Sequence, residues 1–309
     1  MEFEVLIDDQ FLNVCLDNSL SPIDKKSVLS LFNDFEDGKW RSREFHSFIW
    51  DNIAETALSY SERQSLISNS HSTLVSAAES LRLTTSDKDI GKGSELAEIV
   101  LYGIMKHHFK ALPVVPKIFY KQNSQDNAKG ADSVHIVLDD DSGFTLWFGE
   151  AKFFNDISNA RLSQIIESVG KSLSTDKLKR ENAIITNVND IDSLIDNQKL
   201  KEDIKAALSP KKSIDVIKPK LHIPILILHE CEITKNTKVL SEKYKEDLKE
   251  FHLDRAEAYY KNHIKTLSSI NFYEKISFHL ILFPVPNKET IVNRFIGAVS
   301  HYKQEAEND

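Results

Sequence analysis

Glycine and proline are scarce in this 309-residue chain, which contains nine and eight of them. Glycine lets a backbone fold closely around phosphate groups, so few glycines leave little material for nucleotide-binding loops. No GxGxxG sequence is present, and Ile165 stands where a P-loop ending in Gly170-Lys171-Ser172 would need its first glycine. The sequence therefore argues against a P-loop ATPase and against a Rossmann dehydrogenase.

Cysteines and long apolar runs are also rare. The two cysteines, Cys15 and Cys231, form neither a CxxC pair nor a Cys/His cluster, which is typical of buried thiols in a reducing cytosol. The apolar run Ile223–Leu228 is far shorter than the roughly 20 residues that a membrane-spanning helix needs. The N-terminal residues lack the basic start and apolar core of a signal peptide. We therefore expect a cytoplasmic protein without a membrane span.

Charge is distributed unevenly along the chain. Lys and Arg total 39 and Asp and Glu total 47, which gives a net charge of −8. Residues 1–89 hold 16 acidic and 8 basic side chains, whereas residues 90–309 hold 31 of each. A chain with this balance is not built to coat nucleic acid. We expect residues 90–309 to hold DNA weakly by themselves, and the acidic N-terminal region to bind a partner or keep DNA away.

Hydrophobic periodicity divides the chain at about residue 89. Residues 1–89 are predicted to be mainly helical, because most of their apolar residues recur at helical spacing. These predicted helices cover Pro22–Phe35, Phe45–Leu58 and Glu62–Leu83. Residues 90–309 alternate between helical and strand patterns, which indicates an α/β domain with a mixed sheet.

The pattern of residues 90–309 begins with the order α-β-β-β-α. These five predicted elements are a helix at Ser94–Phe109, strands at Lys117–Lys121, Ser133–Leu138 and Phe144–Phe154, and a helix at Ile157–Leu173. The later predicted strands are Asn182–Val188, His222–Glu230 and Ile276–Val285, and the later predicted helices are Ile191–Leu208, Val239–Leu267 and Lys288–Lys303.

A hairpin within this core is predicted to bring two carboxylates together. Centring the turn on Asp141 places Leu138 opposite Phe144, and Asp132 opposite Glu150. Side chains that face each other in an antiparallel ladder have Cβ atoms about 5 Å apart. Two carboxylates at that distance repel each other unless a cation lies between them. Magnesium is the natural occupant, because it binds carboxylate oxygens together with water.

A lysine and a helical glutamate complete the predicted site. Lys152 projects from the same face of the strand as Glu150, where an ammonium group can orient a metal-bound water and stabilise charge on a scissile phosphate. Glu95 and Glu98 share one face of the preceding helix. We favour Glu98 because the apolar run Ile99–Tyr102 follows it, but the sequence leaves both open.

Helical Glu, strand Asp and then Glu-x-Lys is a pattern that resembles the PD-(D/E)xK phosphodiesterase superfamily, whose restriction-endonuclease-like core has the order α-β-β-β-α. Three stretches are also similar to the HamA family, the nuclease subunit of Hachiman anti-phage defence systems: Glu98–Tyr102, Lys129–Asp132 and Trp147–Lys152. The resemblance covers residues 90–175 well, the C-terminal third in outline and residues 1–89 weakly.

This resemblance implies a function. It implies metal-dependent DNA cleavage with Mg²⁺ or Mn²⁺, beside HamB, a superfamily 2 helicase. By position, the active site of the family falls on Glu98, Asp132, Glu150 and Lys152, with Asp132 and Glu150 as metal ligands.

The resemblance is incomplete on the helix that follows the lysine. Many superfamily members carry Gln-x-x-x-Tyr there, whereas Gln164 is followed by Ser168 in this chain. Gln164 and Lys171, which begins a basic cluster, are further candidates for contacting the substrate.

Three hypotheses stay open at this point. The first is a Mg²⁺-dependent deoxyribonuclease that acts with a helicase. The second is a nuclease-like adaptor that binds a helicase or nucleic acid and cuts nothing. The third is a relative that cleaves RNA.

Overall fold

The computed structural model describes residues 3–15, 17, 19–82, 93–121, 131–139, 143–187, 192, 194–209 and 211–307. The strands are β1 (Glu4–Gln10), β2 (Lys26–Phe32), β3 (Phe35–Glu36), β4 (Lys39–Trp40), β5 (Leu112–Val115), β6 (Ser133–Leu138), β7 (Phe144–Phe154), β8 (Leu221–Glu230) and β9 (Ser277–Val285). Seven of them form one sheet in the order β1-β2-β9-β8-β7-β6-β5, and β3 pairs with β4 in a small hairpin.

Helices flank this sheet on both faces. They are α1 (Phe11–Val14), α2 (Ser42–Ala57), α3 (Tyr60–Ser65), α4 (Ser70–Glu79), α5 (Ser94–His107), α6 (Lys117–Lys121), α7 (Asn159–Ser172), α8 (Thr175–Asn187), α9 (Gln198–Ala207), α10 (Glu232–Asn236), α11 (Glu242–Leu267) and α12 (Lys288–Glu307). Short 3₁₀ turns cover Ile214–Val216, Lys218–Lys220 and Tyr273–Lys275. Across the described ranges, none of these helices combines the length and the apolar character that crossing a membrane requires.

The sheet is mixed, which confirms the α/β prediction. Strands β5, β6 and β7 form an antiparallel meander, whereas β7, β8, β9 and β2 run parallel and β1 closes one edge antiparallel. Helix α5 precedes the meander and α7 follows it, so the order α-β-β-β-α is present. A small helix, α6, is inserted between β5 and β6.

Strand β7 shows how the two faces of the sheet are covered. Leu146, Phe148 and Phe154 belong to the core that includes residues of α7 and α11. Trp147 and Phe153 belong to the core that includes residues of α2, α5 and α12. Parallel strands need helices on both faces, because neither face can be left in water. Alternation along β7 therefore places Glu150 and Lys152 on the face covered by α7 and α11.

The predicted helix at Pro22–Phe35 is wrong, since this segment contains strand β2. Strand β2 lies inside the sheet between β1 and β9. Because both of its faces are buried, apolar side chains occur on each, as at Val28, Leu29 and Leu31. Such a run lacks the alternation of a half-exposed strand and is easily mistaken for helical spacing.

Residues before 83 therefore share the sheet and both cores with the rest of the chain. Helix is still their main element, as predicted, although the helix expected at Glu62–Leu83 is divided into α3 and α4. A capping box between Ser59 and Glu62 starts α3. The predicted boundary near residue 89 lies outside the described residues.

Two further predicted strands are wrong because they are helical. Lys117–Lys121 forms α6, and the first strand of the meander is instead β5. Pro113 is tolerated in β5 because an edge strand can lose one ladder hydrogen bond. The described part of Asn182–Val188 belongs to α8. Short apolar runs fit a buried strand and a buried helix equally well.

Candidate active site

The register of the β6–β7 hairpin confirms the sequence prediction. Leu138 pairs with Phe144, and Ser133 pairs with Gly149 at the other end of the ladder. The centre of the turn, Asp141, lies outside the described residues. This register places the start of β6 beside the middle of β7.

Asp132 is held beside Glu150, one residue before β6 begins. Its backbone N–H donates to the carbonyl of Gly149 at 2.7 Å, and its Oδ2 accepts the backbone N–H of Ala151 at 3.1 Å. The regular ladder ends at Ser133, so these two hydrogen bonds replace the predicted direct pairing of Asp132 with Glu150. The hydrogen bond from Ala151, a residue of β7, fixes the carboxylate of Asp132 against this strand.

Lys152 joins the two carboxylates. Its Nζ lies 2.6 Å from Oε1 of Glu150 and 3.6 Å from Oδ2 of Asp132. The exposed fractions of the side chains are 26% for Lys152, 17% for Asp132 and 6% for Glu150. The side chain of Lys152 is therefore the most exposed of the three.

The structure distinguishes between the two helical glutamates of α5. Glu98 is buried at 5% exposure, and its negative charge contributes to raising the pKa of Lys152. Glu95 is partly exposed and accepts the backbone N–H of Arg82 at 2.9 Å. Glu98 is thus the glutamate whose charge acts on the cluster.

Gly149 of β7 allows α5 to pack closely against this strand, because a Cβ at this position would lie 2.7 Å from Cδ2 of Leu101 in α5.

Negative charge is in surplus at this cluster. Burial raises the pKa of Glu150, and the nearby Asp132 raises it further, against the opposing effect of Lys152. Burial lowers the pKa of Lys152, but Asp132, Glu150 and Glu98 together raise it above its ordinary value. Lys152 is therefore a protonated donor at neutral pH. One ammonium group faces several carboxylates, so an additional cation would relieve their repulsion.

Ser168 of α7 is a member of the cluster that sequence reasoning did not identify. Its hydroxyl donates a hydrogen bond to Oε1 of Glu150. Ser168 occupies the position where the superfamily motif carries Tyr, so the residue noted only as a departure from the motif touches the site. The spacing of four residues from Gln164 was the available signal, because it places both on one face of α7.

The two predicted substrate contacts lie away from the carboxylates. Gln164 is exposed, and its Oε1 accepts a hydrogen bond from Arg161 at 3.4 Å. Lys171 is 73% exposed and lies 4.0 Å from Glu167. Within the described ranges, neither forms a hydrogen bond or an ion pair with Glu150. Their predicted role in binding substrate stays a prediction.

Tyr259 of α11 was also missed by sequence reasoning. The side chain is fully buried, and its hydroxyl has no hydrogen-bond partner within the described part of the chain. Burial raises its pKa most, followed by Tyr260, Tyr273 and the charge of Glu150. The hydroxyl of Tyr259 therefore stays neutral on the face of the sheet that carries Glu150.

One comparison with known proteins decides the family. The HamA family model matches residues 9–299 of the 309 residues. The chain belongs to the HamA family. This membership makes it a component of a Hachiman anti-phage defence system. No curated protein matches the chain.

The match to the HamA family extends beyond the motif. It begins at residue 9, near the end of β1, and ends in α12, so it includes β2, β3 and β4, which lie in the region that sequence reasoning related only weakly to the family. Within the sheet, the family match covers β2 in full and only the last two residues of β1. The candidate site lies inside the matched range.

The carboxylates of this HamA chain fit a magnesium ion by their chemistry. Magnesium commonly binds one or two carboxylates and completes its shell with water and phosphate oxygens. Asp132 and Glu150 provide such a pair. Throughout the described residues, no group of three or more His, Cys, Asp or Glu side chains is arranged to hold a metal ion. The fit to magnesium rests on the carboxylate oxygens of Asp132 and Glu150 alone.

Proposed function

We propose that this HamA-family protein is a Mg²⁺-dependent deoxyribonuclease of the PD-(D/E)xK type, the effector of a two-component Hachiman system. The observation that supports this proposal is the cluster of Asp132, Glu150 and Lys152. A lysine within 2.6 Å of one buried carboxylate and 3.6 Å of a second has the composition of a phosphodiesterase site. Mn²⁺ would serve in place of Mg²⁺, because it has similar preferences for oxygen ligands.

Each residue of the cluster has a proposed role. Asp132 and Glu150 would hold the metal ion, which when bound would supply positive charge to the scissile phosphate and lower the pKa of a bound water. Lys152 stays protonated and donates hydrogen bonds, so it orients the attacking water and stabilises charge on the phosphate. Glu98 adds a smaller contribution than Asp132 and Glu150 to the negative charge that raises the pKa of Lys152. Ser168 fixes the orientation of Glu150.

In this proposal, a helicase partner of the HamB type would provide most of the binding affinity for DNA. Affinity for DNA depends on phosphate contacts by Lys and Arg and falls as salt rises. The chain carries a net charge of −8, and residues 90–309 are neutral. We therefore propose that the isolated chain binds DNA weakly and that a superfamily 2 helicase presents the strand. A tight, strongly salt-sensitive affinity of the isolated chain for DNA would contradict this part.

The decisive experiment uses the purified chain with plasmid DNA and Mg²⁺, with and without a helicase of the HamB type. Glu150→Gln removes one negative charge but keeps the size of the side chain, and Lys152→Met removes the ammonium group. Matched controls are Glu232→Gln and Lys235→Met, because these two residues form an exposed ion pair of 2.9 Å. We expect wild type and controls to nick the plasmid and both site variants to lose at least about 100-fold of the rate.

Other outcomes separate the remaining hypotheses. Equal nicking by wild type and by Glu150→Gln would show that the assigned cluster does not cut. Binding of the helicase without cleavage of any substrate would favour the adaptor. A parallel reaction with RNA of the same sequence decides which nucleic acid is cleaved.

A further inference from the structure

A second lysine–carboxylate pair lies fully inside the protein. Nζ of Lys117, at the start of α6, lies 2.7 Å from Oε2 and 3.0 Å from Oε1 of Glu181 in α8. The exposed fractions of the two side chains are 0% and 3%. Oε1 of Glu181 also accepts the backbone N–H of Ala131 at 2.9 Å. This pair therefore connects two helices to the residue that directly precedes Asp132.

The backbone around Asp132 is consequently fixed from two sides. Glu181 holds the N–H of Ala131, and β7 holds the N–H of Asp132 through the carbonyl of Gly149. The carboxylate of Asp132 in turn accepts the N–H of Ala151. The regular pairing of β6 begins only at Ser133, so the strand ladder does not hold Ala131, the residue before Asp132.

Charge pairing by itself does not explain this arrangement. Burying two charges costs desolvation energy, and a well-packed apolar pair is often at least as stabilising. An apolar pair could not accept the N–H of Ala131, which is a residue with 2% exposure. A buried backbone N–H needs a partner. Lys117 donates to both carboxylate oxygens of Glu181 and so fixes their direction, while Oε1 also accepts the backbone N–H of Ala131.

We propose that Glu181, held by Lys117, is a positioning residue that places the carboxylate of Asp132 for binding a divalent cation. This inference rests on the proposed function of the Asp132–Glu150 pair. Metal sites depend on groups behind their ligands, and removal of such a group commonly weakens metal affinity about 10- to 100-fold. Functional groups also need placement to within about 0.5 Å, which a loose backbone before β6 would not provide.

The test compares two double variants that differ in one group. Lys117→Met/Glu181→Gln and Lys117→Met/Glu181→Met both remove the buried charges and keep similar volumes. Only the first retains a side-chain carbonyl that can accept the N–H of Ala131. Binding of Mn²⁺ to the full chain is measured by calorimetry, without nucleic acid. We expect the Gln variant to bind within a few-fold of wild type and the Met variant to bind about 10- to 100-fold more weakly.

A second measurement follows the hydrogen bond itself. Hydrogen–deuterium exchange of peptides that contain Ala131–Leu138 should stay slow in the Gln variant and become faster in the Met variant. The unfolding transition of each variant shows whether it is folded. If the Met variant does not fold, Glu181→Asp replaces it, because a shorter side chain keeps the charge opposite Lys117 and withdraws the acceptor from Ala131.

The outcomes distinguish this inference from the proposed function. If wild type binds Mn²⁺ and both double variants bind equally, Glu181 has no positioning role and the nuclease proposal stands. If Glu181→Asp binds as wild type does, the inference is likewise overturned. If wild type binds no Mn²⁺ and does not cut DNA in the presence of the helicase, the proposed function is wrong, and this inference is wrong with it. The inference is supported if the Gln variant, which keeps an acceptor for the N–H of Ala131, retains Mn²⁺ affinity and slow exchange while the Met variant loses both.

Discussion

Two lysine–carboxylate clusters lie within this fold, and they differ in charge balance and in exposure. Lys117 and Glu181 pair one to one, and both side chains are almost inaccessible. Lys152 is 26% exposed and is the one ammonium group in contact with both Glu150 and Asp132, with the charge of Glu98 nearby. The same residue types thus form a closed pair in one place and a site with surplus negative charge in the other. Only the cluster around Lys152 has surplus negative charge that a bound cation would balance.

The largest expected effect is on the stability of the closed pair. Glu181→Ala should lower the free energy of unfolding by about 3–5 kcal/mol, because it leaves the buried ammonium of Lys117 without a charged partner. Urea denaturation followed by circular dichroism measures the change. The control is Glu232→Ala, which breaks a solvent-exposed pair and should change the free energy of unfolding little. Equal losses of unfolding free energy in Glu181→Ala and Glu232→Ala would contradict the prediction that the buried pair matters more for stability than the exposed pair.

The open cluster should respond in the opposite way. Glu150→Gln leaves Lys152 with Asp132 and the charge of Glu98, so no buried charge is left alone. We expect the free energy of unfolding at neutral pH to stay the same or to rise, while the rate of DNA cleavage falls at least about 100-fold. The same urea experiment, run beside the plasmid assay, measures both. A loss of stability as large as that of Glu181→Ala would show that the two clusters are alike.

The pH dependence of stability should sharpen this contrast. The pKa of Glu150 is raised above its ordinary value of 4.5 in the folded chain, mainly by burial and then by Asp132. Its contribution to stability is therefore fully present below pH 4.5 and is lost as pH rises through the raised pKa. The raised pKa of Lys152 acts only above its ordinary value of 10.5, outside this window.

Urea denaturation of wild type and Glu150→Gln over a pH series from 4.5 upward measures this effect. We expect the stability difference between them to shift against wild type as pH rises. Saturating Mg²⁺ should reverse the shift, because it binds the ionised carboxylate. A difference independent of pH would mean that the pKa of Glu150 is not raised.

The smallest expected effect concerns Ser168. Its hydroxyl lowers the pKa of Glu150, so Ser168→Ala should raise that pKa further and move Mn²⁺ binding to higher pH. The loss of stability should be about 1–2 kcal/mol. Ser172→Ala is the control, because its hydroxyl donates to the backbone carbonyl of Val169 in the same helix. Calorimetric titrations at several pH values should separate the two variants, and equal profiles would exclude a role of Ser168 at the carboxylate.

The candidate site was largely predictable where it depends on the hairpin. Asp132, Glu150 and Lys152 lie within 21 residues of each other, and one symmetric turn sets their register. Glu98 could be preferred over Glu95 because the apolar run Ile99–Tyr102 follows it directly. Local spacing was sufficient for these residues, since hairpin pairing and helix faces are properties of short segments.

The residues behind the site could not be predicted in this way. Ser168 and Glu150 are 18 residues apart, and Ala131 and Glu181 are 50 apart. Glu181 directly precedes the predicted strand Asn182–Val188, whereas it lies in helix α8. A side chain on a wrongly assigned element has no predictable direction, so the contact between Glu181 and Ala131 had no signal in the sequence.

The sequence by itself determined the hairpin that carries the acidic pair and the lysine, the α-β-β-β-α order around it, and the acidic surplus of residues 1–89. Only the tertiary structure decided that β2 lies inside the sheet beside β9, and that α8 holds the backbone before Asp132. The physical reason is the range of the interactions. Backbone sterics and side-chain periodicity act within a few residues, whereas burial on both faces of a sheet and the pairing of buried charges exist only after distant segments have packed together.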